Sequence, residues 1–310
     1  MTIEARFFKS QSSSQNDKIS ASHQLLTPVI LSGMRQINFS GDAYFTPPLK
    51  IGWFARTFPS LIFHWKFIRT TLACAWHAWR GNYGDDAWAE SSLAMVRQLE
   101  DVGVKFEITG LNYLRQVEGP CLIVGNHISS LETAVLPSIV QPIKHVTFVV
   151  KASLLNYPVF KYVMRTRDPV AVTQTDPRQD FKQMMEGGAE RLARGTSIIV
   201  FPEGARAAKF DPARFNSVGV KLASRAGVPI VPVALETSAW GLGKPIADFG
   251  PINPTKKVRF AFGPPMQVEG RGGTEQAALI QFIQAKLDLW AAEDASVGLV
   301  GEILPANDGS

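Results

Sequence analysis

An apolar run, Cys121-Leu122-Ile123-Val124, leads into Gly125-Asn126-His127-Ile128-Ser129-Ser130-Leu131-Glu132, and an apolar helical stretch follows. Four residues separate His127 from Glu132. With Ser129 or Ser130 capping the helix, Glu132 falls in its first turns, where its carboxylate can fold back onto the imidazole. A carboxylate on Nδ1–H fixes the tautomer, raises the basicity of the ring and leaves Nε2 to take a proton from a hydroxyl. Such a pair is a general base for an alcohol. Taken alone, the H-x4-E spacing equally describes a buried histidine satisfied by a neighbouring carboxylate.

A second loop, Phe201-Pro202-Glu203-Gly204-Ala205-Arg206, also follows a β-type run, Ser197–Phe201. A guanidinium beside exposed backbone N–H groups is a bidentate receptor for phosphate. Two such loops at one edge of a parallel sheet would face one another, so base and phosphate anchor would converge. By itself the second loop is also an ordinary strand-end turn with a surface arginine.

The elements that must position these loops are short β-branched or apolar runs separated by helical stretches. Strands are expected at Lys105–Ile108, Cys121–Val124, His145–Val150, Val170–Thr173, Ser197–Phe201, Ile230–Leu235 and Val258–Phe262, with helices at Gln179–Arg194, Ser217–Ala226 and Thr274–Ala292. Alternation of this kind argues for an α/β fold, a mostly parallel twisted sheet flanked by helices, in which ligands gather at the carboxyl ends of the strands. Four segments are expected: an irregular, partly disordered 1–50, with Ser10–Gln24 polar and Gly41–Leu49 irregular; a Trp-rich helical 51–102; the α/β domain 103–292; and a loosely held acidic tail, 293–310.

Five of the seven tryptophans lie between Trp53 and Trp88. On a helix from about Ser60 to Trp79, Leu61, Trp65, Ile68, Leu72, Trp76 and Trp79 recur at three- and four-residue steps, with Lys66, Arg69, Thr70, His77 and Arg80 expected on the opposite side. A second helix is expected from Asp85 to Leu99, capped by Asp85. An apolar Trp/Leu/Ile face beside basic residues suits the headgroup plane of an anionic membrane. Trp65, Ile68, Leu72, Trp76, Trp79, Lys66 and Arg69 are therefore the membrane-contact candidates; the alternative is a helix packed on the protein's own core.

Composition bounds these readings. The chain has 310 residues, 45% hydrophobic and 19% charged, which excludes a mainly disordered, fibrous or disulfide-stapled protein. A surplus of 32 Lys+Arg over 27 Asp+Glu leaves a mild attraction to anionic surfaces. Cys74 and Cys121 make neither a disulfide framework nor a four-ligand zinc site, and a reducing compartment is expected. Met1–Ser10 lacks the apolar run of a signal peptide, and no run of about 18 apolar residues is present for a spanning helix. No Gly-x-Ser-x-Gly or His-Glu-x-x-His occurs, which disfavours serine and zinc hydrolases. No metal, no cofactor and no nucleic-acid partner is expected.

Together with Val228-Pro229-Ile230-Val231-Pro232-Val233, the two loops resemble the glycerolipid acyltransferase family, whose typical member acylates 1-acyl-sn-glycerol-3-phosphate (lysophosphatidic acid). The likeness covers roughly residues 100–265, with Asn126-His127-x4-Glu132 similar to the first motif, Lys151-x2-Leu154 and Pro158 to the second, Phe201–Arg206 to the third and Val228–Val233 to the fourth. The resemblance implies that His127 is the base, that Glu132 orients it, and that Asn126, Lys151, Glu203, Gly204 and Arg206 bind substrate, the last three at the acceptor's head group. It implies an acyl thioester donor, acyl-CoA or acyl carrier protein, no acyl-enzyme, and a peripheral place on the cytoplasmic face of the membrane. The sequence departs from the family pattern at Glu132, where Asp is usual, at Ala205 and Ala207, where Thr and Ser are frequent, and at Thr173-Gln174, where an arginine is usual. Competing readings are another acceptor (glycerol-3-phosphate, lyso-ornithine lipid or another lysophospholipid) and a non-catalytic peripheral lipid-binding protein.

Overall fold

Among the described residues, runs rich in Val, Ile and Phe form eight strands: β1 (Tyr44–Phe45), β2 (Lys105–Thr109), β3 (Leu122–Gly125), β4 (Val146–Lys151), β5 (Val170–Val172), β6 (Ser197–Val200), β7 (Ile230–Glu236) and β8 (Lys257–Phe262). The computed structural model describes residues 37, 39, 41–244 and 246–303; the Ser10–Gln24 segment, most of 1–50 and residues 304–310 lie outside the described residues. The strands join in one sheet of order β1-β2-β8-β7-β3-β6-β4-β5. Five pairings are parallel, and only β1–β2 and β7–β8 are antiparallel. The seven strands read from the sequence are all present, each end within one residue.

The contiguous strands β7, β3, β6, β4 and β5 run the same way, so their carboxyl ends share one edge. Nine helices among the described residues surround the sheet: α1 (Trp53–Thr57), α2 (Pro59–Trp79), α3 (Asp85–Glu100), α4 (Leu111–Arg115), α5 (Leu131–Val140), α6 (Phe160–Arg165), α7 (Pro177–Ala193), α8 (Val218–Ala226) and α9 (Gly273–Ile303). Side chains alternate across the sheet as the pleat requires. Ile123, Val231 and Val233 join Leu131 of α5, Leu99 of α3 and Phe63 of α2 in one core. Leu122, Val124 and Ile198 join Met184 of α7, Leu222 of α8 and Leu279 of α9 in the other.

Several local expectations are corrected. Within Gly41–Leu49, expected to be irregular, Tyr44–Phe45 is an edge strand on β2, and the Tyr44 and Thr46 hydroxyls hold it there by donating to Glu100 Oε1 at 2.5 and 2.7 Å. The last helix passes its expected end at Ala292 and reaches Ile303; Asp294, just past that expected end, receives both Nη groups of the buried Arg259 of β8, at 2.8 and 2.5 Å. Asp85 does not cap α3; Gly84 is the N-cap. The Asp85 carboxylate instead bonds Arg167 Nη1 at 2.6 Å and His145 Nδ1 at 2.8 Å, which ties α3 to the loops before β5 and β4.

The faces of α2 also differ from expectation. Leu61, Trp65, Ile68, Leu72, Trp76 and Trp79 form one exposed stripe, 38% to 65% accessible. The opposite side is not polar but packed: Phe63 is fully buried against Trp240 (4.8 Å, edge-on), and Thr70 is buried, accepting from Gln98 Nε2 at 2.8 Å. Lys66 is on a flank, its Nζ donating to Asp101 Oδ2 at 2.6 Å, and Arg80 lies 4.1 Å over the Trp76 ring. The helix is thus apolar on two faces, because it must serve the core on one and presents tryptophans on the other. Trp53 and Phe54 of α1 extend the exposed apolar surface, at 76% and 53% accessible. No helix of the described residues is long and apolar enough to cross a membrane.

Candidate active site

The carboxyl ends of β3, β6 and β7 deliver the three segments that build the site. His127 follows β3, and its Nδ1 lies 2.8 Å from Oε1 of Glu132, a fully buried residue in the first turn of α5. The same oxygen accepts the backbone N–H groups of Ile128 (2.6 Å) and Ser129 (2.9 Å), while Oε2 accepts the Thr237 hydroxyl beyond β7 at 2.7 Å and lies 3.1 Å from Ser129 Oγ. Burial alone would push this carboxyl up, but the His127 hydrogen bond and charge and the Thr237 hydroxyl outweigh it and hold it below the usual carboxylate range. An ionised carboxylate only accepts, so the proton of the neutral imidazole sits on Nδ1 and the lone pair on Nε2. The ring stacks on Phe201 at the end of β6, centroids 4.5 Å apart and planes 8° apart.

The β6 loop clamps the β3 loop through the backbone of the histidine itself. Glu203 Oε2 accepts the His127 N–H at 2.8 Å, and the His127 carbonyl accepts the N–H of Ala207 at 2.9 Å. Burial pushes the Glu203 carboxyl up against the lowering effect of that N–H. Gly204 takes φ +70° to close the turn, its N–H donating to Phe201 O, and its own carbonyl accepts Gln174 Nε2 at 2.6 Å. Arg206 Nη1 donates to Asp248 Oδ1 at 2.6 Å and to Ser130 Oγ, so the guanidinium meets the residue three along the chain from His127.

Residues 105–236 match the family model described as Acyltransferase. The chain is 29% identical over 206 residues to the 1-acyl-sn-glycerol-3-phosphate acyltransferase of Pseudomonas aeruginosa, covering 66% of this chain and 74% of that protein. It is 31% identical over 140 residues to the chloroplastic 1-acyl-sn-glycerol-3-phosphate acyltransferase BAT2 of Brassica napus, covering 45% and 38%. Its fold is similar to the crystal structure of the 1-acyl-sn-glycerophosphate (LPA) acyltransferase PlsC from Thermotoga maritima, with a TM-score of 0.59 and 17% identity over 77% of this chain and 97% of that one. Residues 105–236 are thus an acyltransferase segment, and the relatives it is similar to are named as 1-acyl-sn-glycerol-3-phosphate acyltransferases.

Within this acyltransferase the expected site residues are not equally placed. His127, Glu132, Glu203, Gly204 and Arg206 come together as described. Asn126, expected to bind substrate, is fully buried, its Nδ2 donating to Leu235 O and its Oδ1 accepting from Leu235 N, both at 2.9 Å. It imitates a peptide group and laces β3 to β7, so its amide is spent inside the sheet. Lys151 ends β4 at the same sheet edge, exposed, with β6 between it and β3. Neither Arg165 nor Arg167 stands in for the arginine that Thr173-Gln174 replaces: Arg165 Nε donates to Leu155 O, and buried Arg167 is held by Asp85 and Tyr83 O. The backbone N–H groups of Thr173 and Gln174 instead donate to Asp180, at 2.5 and 2.6 Å. Thr237 and Asp248 are not legible as site residues, since each reaches the motifs only through the fold; Ser130 and Gln174 stand in segments the sequence singles out, but their contacts with Arg206 and Gly204 are set by the fold. Beside Phe201 lies a cleft of about 350 Å³ walled by Val149, Phe181, Met184, Phe201 and Val218.

Proposed function

We propose that this acyltransferase moves a fatty acyl group from an acyl thioester, acyl-CoA or acyl carrier protein, to the free hydroxyl of a lysophospholipid in phospholipid synthesis, with 1-acylglycerol-3-phosphate as the acceptor. The observation that carries the reading is the His127 Nδ1–Glu132 hydrogen bond of 2.8 Å to a carboxylate that is buried and fully supplied with donors. Nε2 takes the proton of the acceptor hydroxyl as its oxygen attacks the thioester carbonyl; the carbon–sulfur bond breaks, and the imidazolium returns the proton to the leaving thiolate. One ester and one free thiol result, with no acyl-enzyme and no resident cofactor. Glu132 stabilises the imidazolium, and Glu203 positions the ring by holding the His127 backbone. Base assistance of this kind contributes about 10²–10⁴ in rate. Arg206 receives the acceptor's phosphate, and the names of the relatives support that head group.

We place the protein peripherally at the cytoplasmic face of an anionic membrane; the exposed stripe of α2, with Arg69 and Arg80 beside it, supports the membrane contact. The cleft beside Phe201 offers an acyl chain an apolar wall next to the ring that stacks on His127. The test is acyl transfer to lysophosphatidic acid, glycerol-3-phosphate, lysophosphatidylethanolamine and lyso-ornithine lipid, each with both donors. The expected product is phosphatidic acid. Esterification of a phosphate-free acceptor alone moves the assignment of the head group, and no ester with any acceptor defeats the reading.

A further inference from the structure

One carboxylate oxygen of the protein already occupies the clasp assigned to the acceptor. Asp248 Oδ1 accepts Arg206 Nη1 at 2.6 Å and the Ser130 hydroxyl at 2.5 Å, while Arg206 also donates to Ser130 Oγ. Ser130 is the N-cap of α5, yet its hydroxyl makes no capping bond, and Leu131 N donates to Ser129 Oγ instead. Its hydroxyl is thereby left to the clasp. A guanidinium and a hydroxyl converging on one anionic oxygen is the donor set that a phosphate oxygen takes.

The turn that presents Asp248 is built to do so. It is a 3-10 turn, Ala247–Phe249, in a segment folded so tightly on itself that a Cβ on Gly250 would stand 1.7 Å from Gly241 O and one on Gly243 2.3 Å from Ile246 O. Phe249 anchors it by stacking on His64 of α2, centroids 5.3 Å apart. The pair is nevertheless reachable, with Arg206 25% and Asp248 45% exposed, so an incoming anion can displace the carboxylate.

We propose that Asp248 is an internal stand-in for the acceptor's anionic head group: it fills the Arg206–Ser130 clasp when the site is empty, and its displacement sets the affinity for the head group. This rests on the acceptor reading above and adds two residues to it, Ser130 as a second head-group donor and Asp248 as the competitor that determines specificity. A phosphate monoester brings the charge needed to displace Asp248; a neutral head group does not, and gains nothing from the clasp.

The experiment is calorimetric titration of the full chain with the soluble acceptor 1-hexanoylglycerol-3-phosphate, without donor, beside phosphate-free 1-hexanoylglycerol. Asp248→Asn is expected to tighten the phosphate ligand about two- to fivefold, the worth of one partly exposed charge pair. Asp248→Glu restores affinity to within about twofold of wild type, and Ser130→Ala weakens binding at least about threefold. The phosphate-free analogue is unmoved throughout. Equal affinities for wild type and Asp248→Asn, or equal tightening of both ligands, would overturn the proposal; should Asp248→Asn fail to fold, an unchanged affinity in Ser130→Ala does so. Acyl transfer is scored separately: tightening without transfer defeats the acyltransferase chemistry and leaves the Asp248 role standing, while transfer with no tightening does the reverse.

Discussion

Glu132→Gln isolates the charge of the buried carboxylate from its shape. In the wild type, Oε1 accepts His127 Nδ1 and two backbone N–H groups, and Oε2 accepts Thr237 Oγ1 at 2.7 Å. A glutamine amide has one accepting end and one donating end. With its NH2 toward His127, Nδ1 must become the acceptor, the ring proton moves to Nε2 and no base remains. With its carbonyl toward His127 the tautomer survives, but the NH2 then faces the Thr237 hydroxyl, and the negative charge that stabilises the imidazolium is gone. Either outcome removes most of the base assistance, and we expect kcat to fall about 10³-fold, within the 10²–10⁴ that such assistance provides and equal to about 4 kcal/mol of barrier. Acceptor KM should stay within about threefold, because Arg206 is bonded to Ser130 and Asp248 rather than to Glu132. Glu132→Asp keeps the charge on a shorter arm and should recover at least tenfold over the glutamine. The assay is initial-rate acyl transfer on protein whose thermal melt shows a folded state. A folded glutamine variant that keeps more than a tenth of wild-type kcat would refute the reasoning.

Arg206→Ala should act on the other substrate term. Loss of a charge-assisted hydrogen bond predicts a rise of about tenfold or more in acceptor KM, with a smaller change in kcat; a lower kcat at unchanged KM would count against a head-group role. At the membrane, the double substitution Trp65→Ser and Trp76→Ser removes two exposed indoles without touching the packed face of α2. Sedimentation with anionic vesicles should show binding weakened at least about tenfold and reduced further by salt, and full retention would exclude this stripe from membrane contact.

Much of the architecture was legible because it is local. Val- and Ile-rich runs of four to six residues between helical stretches announced β2 through β8, and placing His127 and Phe201–Arg206 after two of them put both loops at one sheet edge. What stayed hidden depends on contacts distant in sequence. Thr237 reaches Glu132 across 105 residues and Asp248 reaches Ser130 across 118, and no spacing pattern announces either. Asn126 looked like a ligand because a polar side chain beside a candidate base invites that reading; its partners lie on β7, 109 residues away. Glu203 was read as facing the head group, whereas its carboxylate bonds the His127 N–H, a distinction set by the turn at Gly204. On α2 the apolar periodicity was plain, but a stripe exposed on one face and a second packed on the other look alike until the partner, Trp240, is in place. The two-residue β1 is too short to carry a periodic signal.

The most direct measurement is single-turnover acyl transfer by His127→Ala against wild type, with thioester donor and lysophosphatidic acid both saturating and the fold checked by thermal melting. The proposed mechanism predicts a rate lower by about 10²–10⁴ in a folded protein, since it assigns the acceptor's proton to His127 Nε2. A folded alanine variant that forms phosphatidic acid at a rate within about threefold of wild type would contradict it.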